Sequence, residues 1–131
     1  MSYSVDLELD NLVCRSHAAA QHAAERINLD PWMQHHVRVS VQQRPDHESG
    51  GTWQLVVDDY DACTWNERAA LEVWSSIAPH MADGASMEFR HEDASRFRIH
   101  WRGGRAYHQE PKQIIWGGDL ELTPQVLRDW P

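Results

Sequence analysis

Ser95-Arg-Phe-Arg-Ile-His-Trp-Arg-Gly-Gly-Arg-Ala-Tyr-His108 decides how this chain folds, because it alternates apolar and polar residues with a period of two. Phe97, Ile99 and Trp101 fall on one side of the predicted strand, and Arg96, Arg98, His100 and Arg102 fall on the other. Gly103-Gly104 supplies the positive φ angles that a two-residue hairpin turn requires. The stretch therefore predicts an antiparallel hairpin with one buried face and one charged, exposed face.

Strand and helix signals on either side of this hairpin complete the pattern of an α+β protein. In chain order, we expect a strand over 3–10, a helix over Ser16–Asn28, strands over 36–42 and 53–57, and a second helix that begins at a Thr64-Trp-Asn-Glu67 capping box. Strands over 87–91, 97–102 and 105–109 follow. Short edge strands are expected at 114–116 and 120–122. The order predicts a split βαβ, ferredoxin-like core with two helices on one face of a mainly antiparallel sheet, extended by C-terminal strands.

The apolar side of each predicted element defines the expected core. It comprises Val5, Leu7, Val37, Val39, Leu55, Leu71, Trp74, Phe89, Phe97, Ile99 and Trp101. Leu9 continues the same alternation on the first strand, and Trp53 also falls on a core position. Trp32, Trp65, Trp116 and Trp130 are expected at element ends or edges. With 131 residues and no linker-like segment, we expect residues 1–131 to form a single domain.

The composition indicates which classes of partner and which cellular compartment to expect. The net charge of −8 disfavours bulk nucleic-acid binding, which depends on neutralising phosphates, and favours a basic protein partner. No apolar run could cross a membrane and the N-terminus has no signal-peptide pattern, so we expect a cytoplasmic protein without membrane contact. Eleven arginines against one lysine indicate a GC-rich coding sequence, which is typical of some bacteria and their phages.

The polar side of the hairpin is the first candidate for a partner-binding surface. It carries Arg90, Arg96, Arg98, His100, Arg102, Arg105 and Tyr107. Arginine and tyrosine are frequent interface anchors, and we expect Arg98 and Arg102 to point to solvent. The alternative is a solvated sheet face balanced by Asp6, Glu8 and Glu88. A basic face with acids opposite is also self-complementary, which would suit a homodimer.

A second candidate surface is the acidic cluster Asp58, Asp59 and Asp61, where the third strand leads into the second helix. Carboxylates at a strand end can hold a divalent cation, but acidic residues are also favoured near a helix N-terminus and in turns. Cys14 and Cys63 precede the two predicted helices and lack metal-site spacing. We expect reduced thiols, with a redox pair as the alternative.

The nine histidines form no ligand motif. If Gly103-Gly104 is the turn, His100 faces Tyr107 and His108 faces Ile99 on the opposite side of the sheet. His91, His100 and His108 would then not converge on one zinc ion, so we predict no metal site. We also predict no cofactor and no catalytic residues.

A resemblance covers the C-terminal half of the chain. Asp83-Gly84, Met87-Glu88-Phe89, Glu92-Asp93, Arg96-Phe97-Arg98, Gly103-Gly104, Tyr107 and Ile114-Ile115-Trp116 follow one another in that order. This part resembles a group of small uncharacterised bacterial α+β proteins. The resemblance implies a fold and brings no activity with it.

These features favour a small acidic, non-enzymatic protein-binding module. Immunity-type proteins and phage inhibitors of bacterial defence have this profile, since they act by covering a site on another protein. One alternative is a small metal- or thiol-dependent enzyme that uses the Asp58–Asp61 cluster or Cys14 and Cys63. Another is a module that binds a small anion on the arginine face.

Overall fold

In a computed structural model of the chain, the alternating stretch lies within a seven-stranded antiparallel sheet. The structure describes residues 4–45, 51–112 and 115–131, and among these the side chains of residues 112, 115 and 116 are not described. The strands are β1 (Val5–Val13), β2 (Val37–Arg44), β3 (Thr52–Tyr60), β4 (Ser86–His91), β5 (Arg96–Arg102), β6 (Arg105–Gln109), β7 (Pro111–Lys112), β8 (Ile115–Trp116) and β9 (Leu120–Glu121). The helices are α1 (His17–Leu29), α2 (Glu67–Ser76) and α3 (Pro124–Arg128), with single 3₁₀ turns at Met33–His35 and Ala78–His80.

The sheet runs in the order β2-β3-β1-β4-β5-β6-β9, and each of these neighbouring pairs is antiparallel. The predicted α+β class with a mainly antiparallel sheet is therefore confirmed. Strands β7 and β8 pair with each other as a separate two-stranded antiparallel sheet. The predicted edge strand at 114–116 includes Ile114, which lies outside the described residues.

The β5–β6 hairpin has the predicted register. His100 pairs with Tyr107 and Ile99 pairs with His108. The two glycines of the turn have φ angles of 57° and 75°, as a two-residue hairpin turn with both central residues in the left-handed region requires. Alternation along β5 therefore places its polar and apolar side chains on opposite faces, as predicted.

The first helix also follows the sequence closely. The Ser16 hydroxyl accepts a hydrogen bond from the Ala19 N–H at 3.0 Å, which caps the N-terminus of α1. Its buried stripe is Ala20, Ala23, Ala24 and Ile27. Because three of these side chains are single methyl groups, the helix approaches the sheet closely, mainly over β2 and β3.

The second helix begins later than predicted, and the Thr64–Glu67 capping box is wrong. Thr64 has a φ angle of 53°, outside the extended region that an N-cap residue adopts, and its hydroxyl donates to the Cys63 carbonyl oxygen at 2.7 Å. The cap is instead Asn66, whose side-chain oxygen accepts from the Ala69 N–H at 3.1 Å. The backbone at Thr64 changes the direction of the chain, and Trp65 is buried in the core, although an edge position was predicted for it.

The first strand contains an irregularity that the alternation did not indicate. The register with β4 shifts between Leu7 and Leu9, so the period-two pattern is interrupted there. Leu7 is only half-buried and Leu9 is 62% exposed, which corrects the prediction of an apolar inward side through both residues. Leu12, after the shift, is buried instead.

The other predicted core residues are buried and belong to one hydrophobic cluster. Within it, the Trp101 indole N–H donates to the backbone oxygen of Trp74 at 2.9 Å, which ties β5 to α2. Trp53 is only half-buried and stacks on His17 with ring centroids 3.8 Å apart, so it packs against the core and does not lie within it as predicted. None of the helices among the described residues is long and apolar enough to cross a membrane.

Candidate protein-binding surface

The predicted partner-binding side chains lie together on β4, β5 and β6, and on β5 they alternate with the buried residues. We call this set the hairpin face: Arg90, Arg96, Arg98, His100, Arg102, Arg105 and Tyr107. Three cross-strand pairs connect it, namely Arg90–Arg96, His100–Tyr107 and Arg102–Arg105. Two of these pairs place like charges opposite each other, which is unfavourable unless carboxylates lie nearby.

At the turn end of the hairpin face, Asp119 holds two basic side chains. Its carboxylate contacts His100 Nε2 at 3.1 Å and pairs with the Arg102 guanidinium. Burial by itself would raise the pKa of Asp119, but the hydrogen bonds and charges of His100 and Arg102 outweigh it and hold that pKa below its usual value. Arg102 also lies 4.4 Å from the ring centroid of Tyr107. These four side chains therefore fix one another.

Two other arginines of the face also have acidic neighbours. Arg90 contacts Asp6 at 3.3 Å and Glu8 at 3.0 Å, both on the adjacent strand β1. Arg105 contacts Glu121 on β9 at 3.3 Å. The predicted balance by Asp6 and Glu8 is therefore present, and these cations do not form an isolated positive patch.

Arg98 does not point freely to solvent, which corrects the prediction made for it. Its Nε–H donates to the Gln109 side-chain oxygen at 2.6 Å, and the Gln109 amide donates in turn to the Gly117 carbonyl at 3.1 Å. Arg98 is half-buried and Gln109 is buried. The chain after β6 thus partly covers this position, which alternation along β5 does not reveal.

Arg96 differs from its neighbours. Its side chain is exposed, and no ion pair or hydrogen bond engages it within the described ranges. It lines a cleft of about 870 Å³ to which β1, β4, the β4–β5 turn and the start of β7 contribute. Glu8, Glu88 and Glu110 also line this cleft, together with the exposed Leu9. The cleft beside the hairpin face therefore carries both signs of charge.

The acidic cluster is engaged with its own neighbours. The Ser40 hydroxyl donates to Asp58 at 3.2 Å, and the Cys63 N–H donates to Asp61 at 2.9 Å, which is a local turn contact. Asp59 lies opposite Arg38 in the β2–β3 register. Within the parts of the chain that the structure describes, no three His, Cys, Asp or Glu side chains are grouped to hold a metal ion.

The two cysteines lie in different environments, and both thiols are free. Cys14 is buried beside Met81, with 3.9 Å between the sulfur atoms, whereas Cys63 is exposed. Burial raises the pKa of the Cys14 thiol to about 11, against a smaller opposing hydrogen bond from the Leu55 backbone. This shift is opposite in direction to that of a reactive thiolate.

His100 and His108 lie on opposite faces of the sheet, as predicted. His100 lies on the hairpin face beside Asp119, while the pairing of His108 with Ile99 places it on the buried side. His91 and His108, however, flank the same ring, since their centroids lie 4.9 Å and 5.1 Å from that of Phe97. Strand alternation alone does not indicate that His91 and His108 approach the same ring.

A cluster around Glu67 was also missed. Its carboxylate accepts a hydrogen bond from the Trp130 indole N–H at 2.7 Å and lies 3.5 Å from His91 Nε2. Trp130 in turn packs edge-on against His108, with centroids 5.0 Å apart. No local pattern could have indicated this contact, because Glu67 and Trp130 are 63 positions apart. The only signal was an aromatic residue near the end of the chain.

Comparisons with known proteins give no relative for this chain: no family model, no curated protein and no solved structure matches it. The resemblance to small bacterial α+β proteins therefore stays a prediction.

Proposed function

We propose that this protein is a small acidic, non-enzymatic binding module that acts through the hairpin face. The observation that supports this most is the network of fixed polar side chains there: Asp119 with His100 and Arg102, and Arg90 with Asp6 and Glu8. Side chains already held in place lose less conformational entropy when a partner docks on them. A sheet face that presents side chains from three strands suits a protein surface better than a small substrate.

The distribution of charge indicates what kind of partner fits. Most cations of the hairpin face are paired within the chain, so neither bulk phosphate nor a free anion meets a strong positive field. Two groups supply the anchors for a partner. One is the exposed guanidinium of Arg96, and the other is the Tyr107 ring over which Arg102 lies. A partner with a carboxylate opposite Arg96 and polar groups around it complements this face.

The net charge of −8 adds long-range attraction to a basic protein. Asp58, Asp59 and Asp61 are exposed and form the secondary acidic patch of this proposal. An immunity-type protein or a phage inhibitor of bacterial defence, acting in the bacterial cytoplasm, has these properties. A second copy of the chain is the other partner that fits, since a surface with both charges can pair with itself about a two-fold axis.

We also propose that the core is a split βαβ, ferredoxin-like arrangement with α1 and α2 on one face. The strand order β2-β3-β1-β4 supports it, because β3 lies between the two strands that α1 connects. Contacts between α1 and the 3₁₀ turn after α2 support a shared face for the helices. Distances between methyl groups of the two helices, measured by NMR, test this arrangement.

The function is tested by charge reversal on the hairpin face. Arg102→Glu and Arg96→Glu are combined, and association is measured by sedimentation for self-pairing and by crosslinking from a photoreactive residue at position 107 for other proteins. Arg68→Glu is the matched control, because Arg68 is an exposed arginine in an ion pair with Glu72 on α2. We expect the double variant to lose association and the control to keep it, with both folded.

Ionic strength provides a second readout. Association that depends on rim charges weakens between low salt and 0.5 M salt, since screening at physiological ionic strength already acts beyond about 8 Å. If the double variant and the wild type associate equally, or if neither self-pairing nor a crosslink from position 107 occurs, the hairpin face is only a solvated surface and the proposal is wrong.

A further inference from the structure

A second cleft lies on the buried side of β6, at the edge of the sheet. Its volume is about 400 Å³, within the range of small-ligand sites. It is lined by His108, Glu110, Pro111, Gly117, Gly118, Leu120 and Trp130. These residues come from the end of β6, the chain around β9 and the segment after α3, so the cleft exists only in the folded protein.

His108 is the unusual group in this cleft. This residue is only 5% exposed, yet neither ring nitrogen makes a hydrogen bond with any residue that the structure describes. The ring is stacked on Phe97 and held edge-on by Trp130. Burial lowers the pKa of His108, and the charges of Glu67 and Glu110 oppose that shift only in part. At neutral pH the ring is therefore an uncharged imidazole with an unused acceptor nitrogen.

Trp130 forms an adjacent wall with a fixed orientation. Its indole N–H is committed to Glu67 Oε2 at 2.7 Å, which leaves the ring as the group offered to the cleft. Trp130 is half-buried, and the neighbouring Leu120 is 41% exposed. An aromatic ring and an exposed aliphatic side chain together suit the carbon chain and the charged head of an organic cation.

Glu110 supplies the charge at this cleft. It is exposed, and its carboxylate makes no ion pair with any residue that the structure describes. Among the lining residues that the structure describes there is no arginine or lysine, so an anion would meet a carboxylate and a neutral imidazole there. The electrostatics of the cleft therefore select a cation.

We propose that this cleft binds an ammonium or guanidinium group on a short aliphatic chain. The cation lies against Glu110 and the Trp130 ring, donates a hydrogen bond to the free nitrogen of His108, and packs its methylene groups on Leu120 and Pro111. Glu110 and Pro111 also line the cleft beside the hairpin face, but neither belongs to the hairpin face, and this proposal does not depend on the function proposed for that face. The same head group occurs in free alkylamines and in the lysine and arginine side chains of proteins.

The test uses defined probes on the whole chain. Butylammonium, agmatine and the blocked amino acid N-acetyl-lysine-methylamide are titrated by NMR, with butanol and butyrate as neutral and anionic controls. We expect saturable shifts of the Gly117, Gly118 and Leu120 amides and of the Trp130 indole N–H for the cations only. Blocked lysine binding at least as well as butylammonium identifies a protein side chain as the source, and preference for the free amines identifies a small molecule.

Two variants locate the interaction. Glu110→Gln removes one charge at an exposed position and should weaken cation binding about tenfold, while Glu72→Gln, an exposed carboxylate on α2, should leave it unchanged. His108→Phe preserves a ring against Phe97 and should also weaken binding. Cation shifts that are absent, that map outside the cleft, or that have the same affinity in Glu110→Gln as in the wild type would overturn the proposal.

Discussion

The two faces of β5 show how differently one strand can be used. Phe97, Ile99 and Trp101 are each at most 2% exposed, and they join the core. On the opposite face Arg96 and Arg102 are exposed, but Arg98 and His100 between them are half-buried. The buried face is uniform because all its residues meet one hydrophobic cluster, whereas the polar face is divided by Gln109 and Asp119, which reach over its centre.

This difference separates two kinds of contribution. The buried face determines stability through area removed from water and close packing. The polar face contributes ion pairs between partly exposed groups, each of which stabilises a protein little. What the polar face provides is fixed geometry, which matters for binding. Substitutions on the two faces should therefore differ in size, with the largest loss of stability on the buried face.

Truncating a buried aromatic side chain in the core beneath β5 should give the largest loss of stability. Trp74→Ala removes a side chain that is 1% exposed and keeps the backbone carbonyl that accepts from Trp101, and we expect a loss of about 3–5 kcal/mol in the free energy of unfolding. Denaturant unfolding measures it. Trp53→Ala, at a half-buried position, is the comparison and should cost clearly less. Equal losses would contradict the packing described.

Substitutions at the N-terminus of α2 test which residue caps the helix. Asn66→Ala removes the cap of the Ala69 N–H and should cost about 1 kcal/mol in unfolding free energy. Thr64→Ala should cost less, because the Thr64 hydroxyl caps no amide of the helix. Thermal and denaturant unfolding of the two variants decides between these residues. An unchanged stability of Asn66→Ala would contradict the cap described here, whatever the loss in Thr64→Ala, whose hydroxyl also lies 3.3 Å from His36 Nε2.

A pH-dependent effect distinguishes the buried histidine from the polar face. The pKa of His108 is lowered in the folded protein by burial, so the unfolded chain takes up a proton first as pH falls through about 6.5. Stability is therefore complete above that pH and declines below it toward the folded pKa. His108→Phe should flatten this decline between about pH 7 and 5.5 when unfolding is measured across that window.

His80 provides a control for this measurement. Burial and the nearby His22 lower its pKa as well, so a residual slope should persist in the His108→Phe variant. A pH profile identical to that of the wild type would show that His108 does not contribute to it.

The smallest effect is expected on the polar face. Arg102→Ala removes an exposed ion pair with Asp119 and should change the unfolding free energy by less than about 1 kcal/mol. The difference should shrink further in high salt, because exposed charges are screened. A loss comparable to that of Trp74→Ala would mean that the polar face is part of the stabilising core.

Much of the fold could be predicted from local pattern. The period-two alternation of β5, the glycine turn and the resulting pairing of His100 with Tyr107 are all present as predicted. So are the Ser16 cap and the small-residue stripe of α1. These features depend on residues close in sequence, whose backbone preferences and side-chain periodicity act within one element.

The candidate sites could be predicted only in part. The hairpin face was identified because alternation places its side chains together. The shielding of Arg98 was not, since Gln109, its partner in the register, is held by the Gly117 carbonyl, and that contact depends on how the chain after β6 returns. The cleft between His108 and Trp130 was missed entirely, because its walls meet only when the segment after α3 reaches α2.

The sequence by itself determined the antiparallel hairpin, its two faces, the first helix and most of the core. The tertiary structure alone decided the register shift in β1, the burial of Trp65 and the meeting of Glu67 with Trp130. The physical reason is the range of the interactions. Periodicity and caps act over a few residues, whereas a bulge, a buried edge aromatic or a cleft is fixed by packing between elements far apart in the chain.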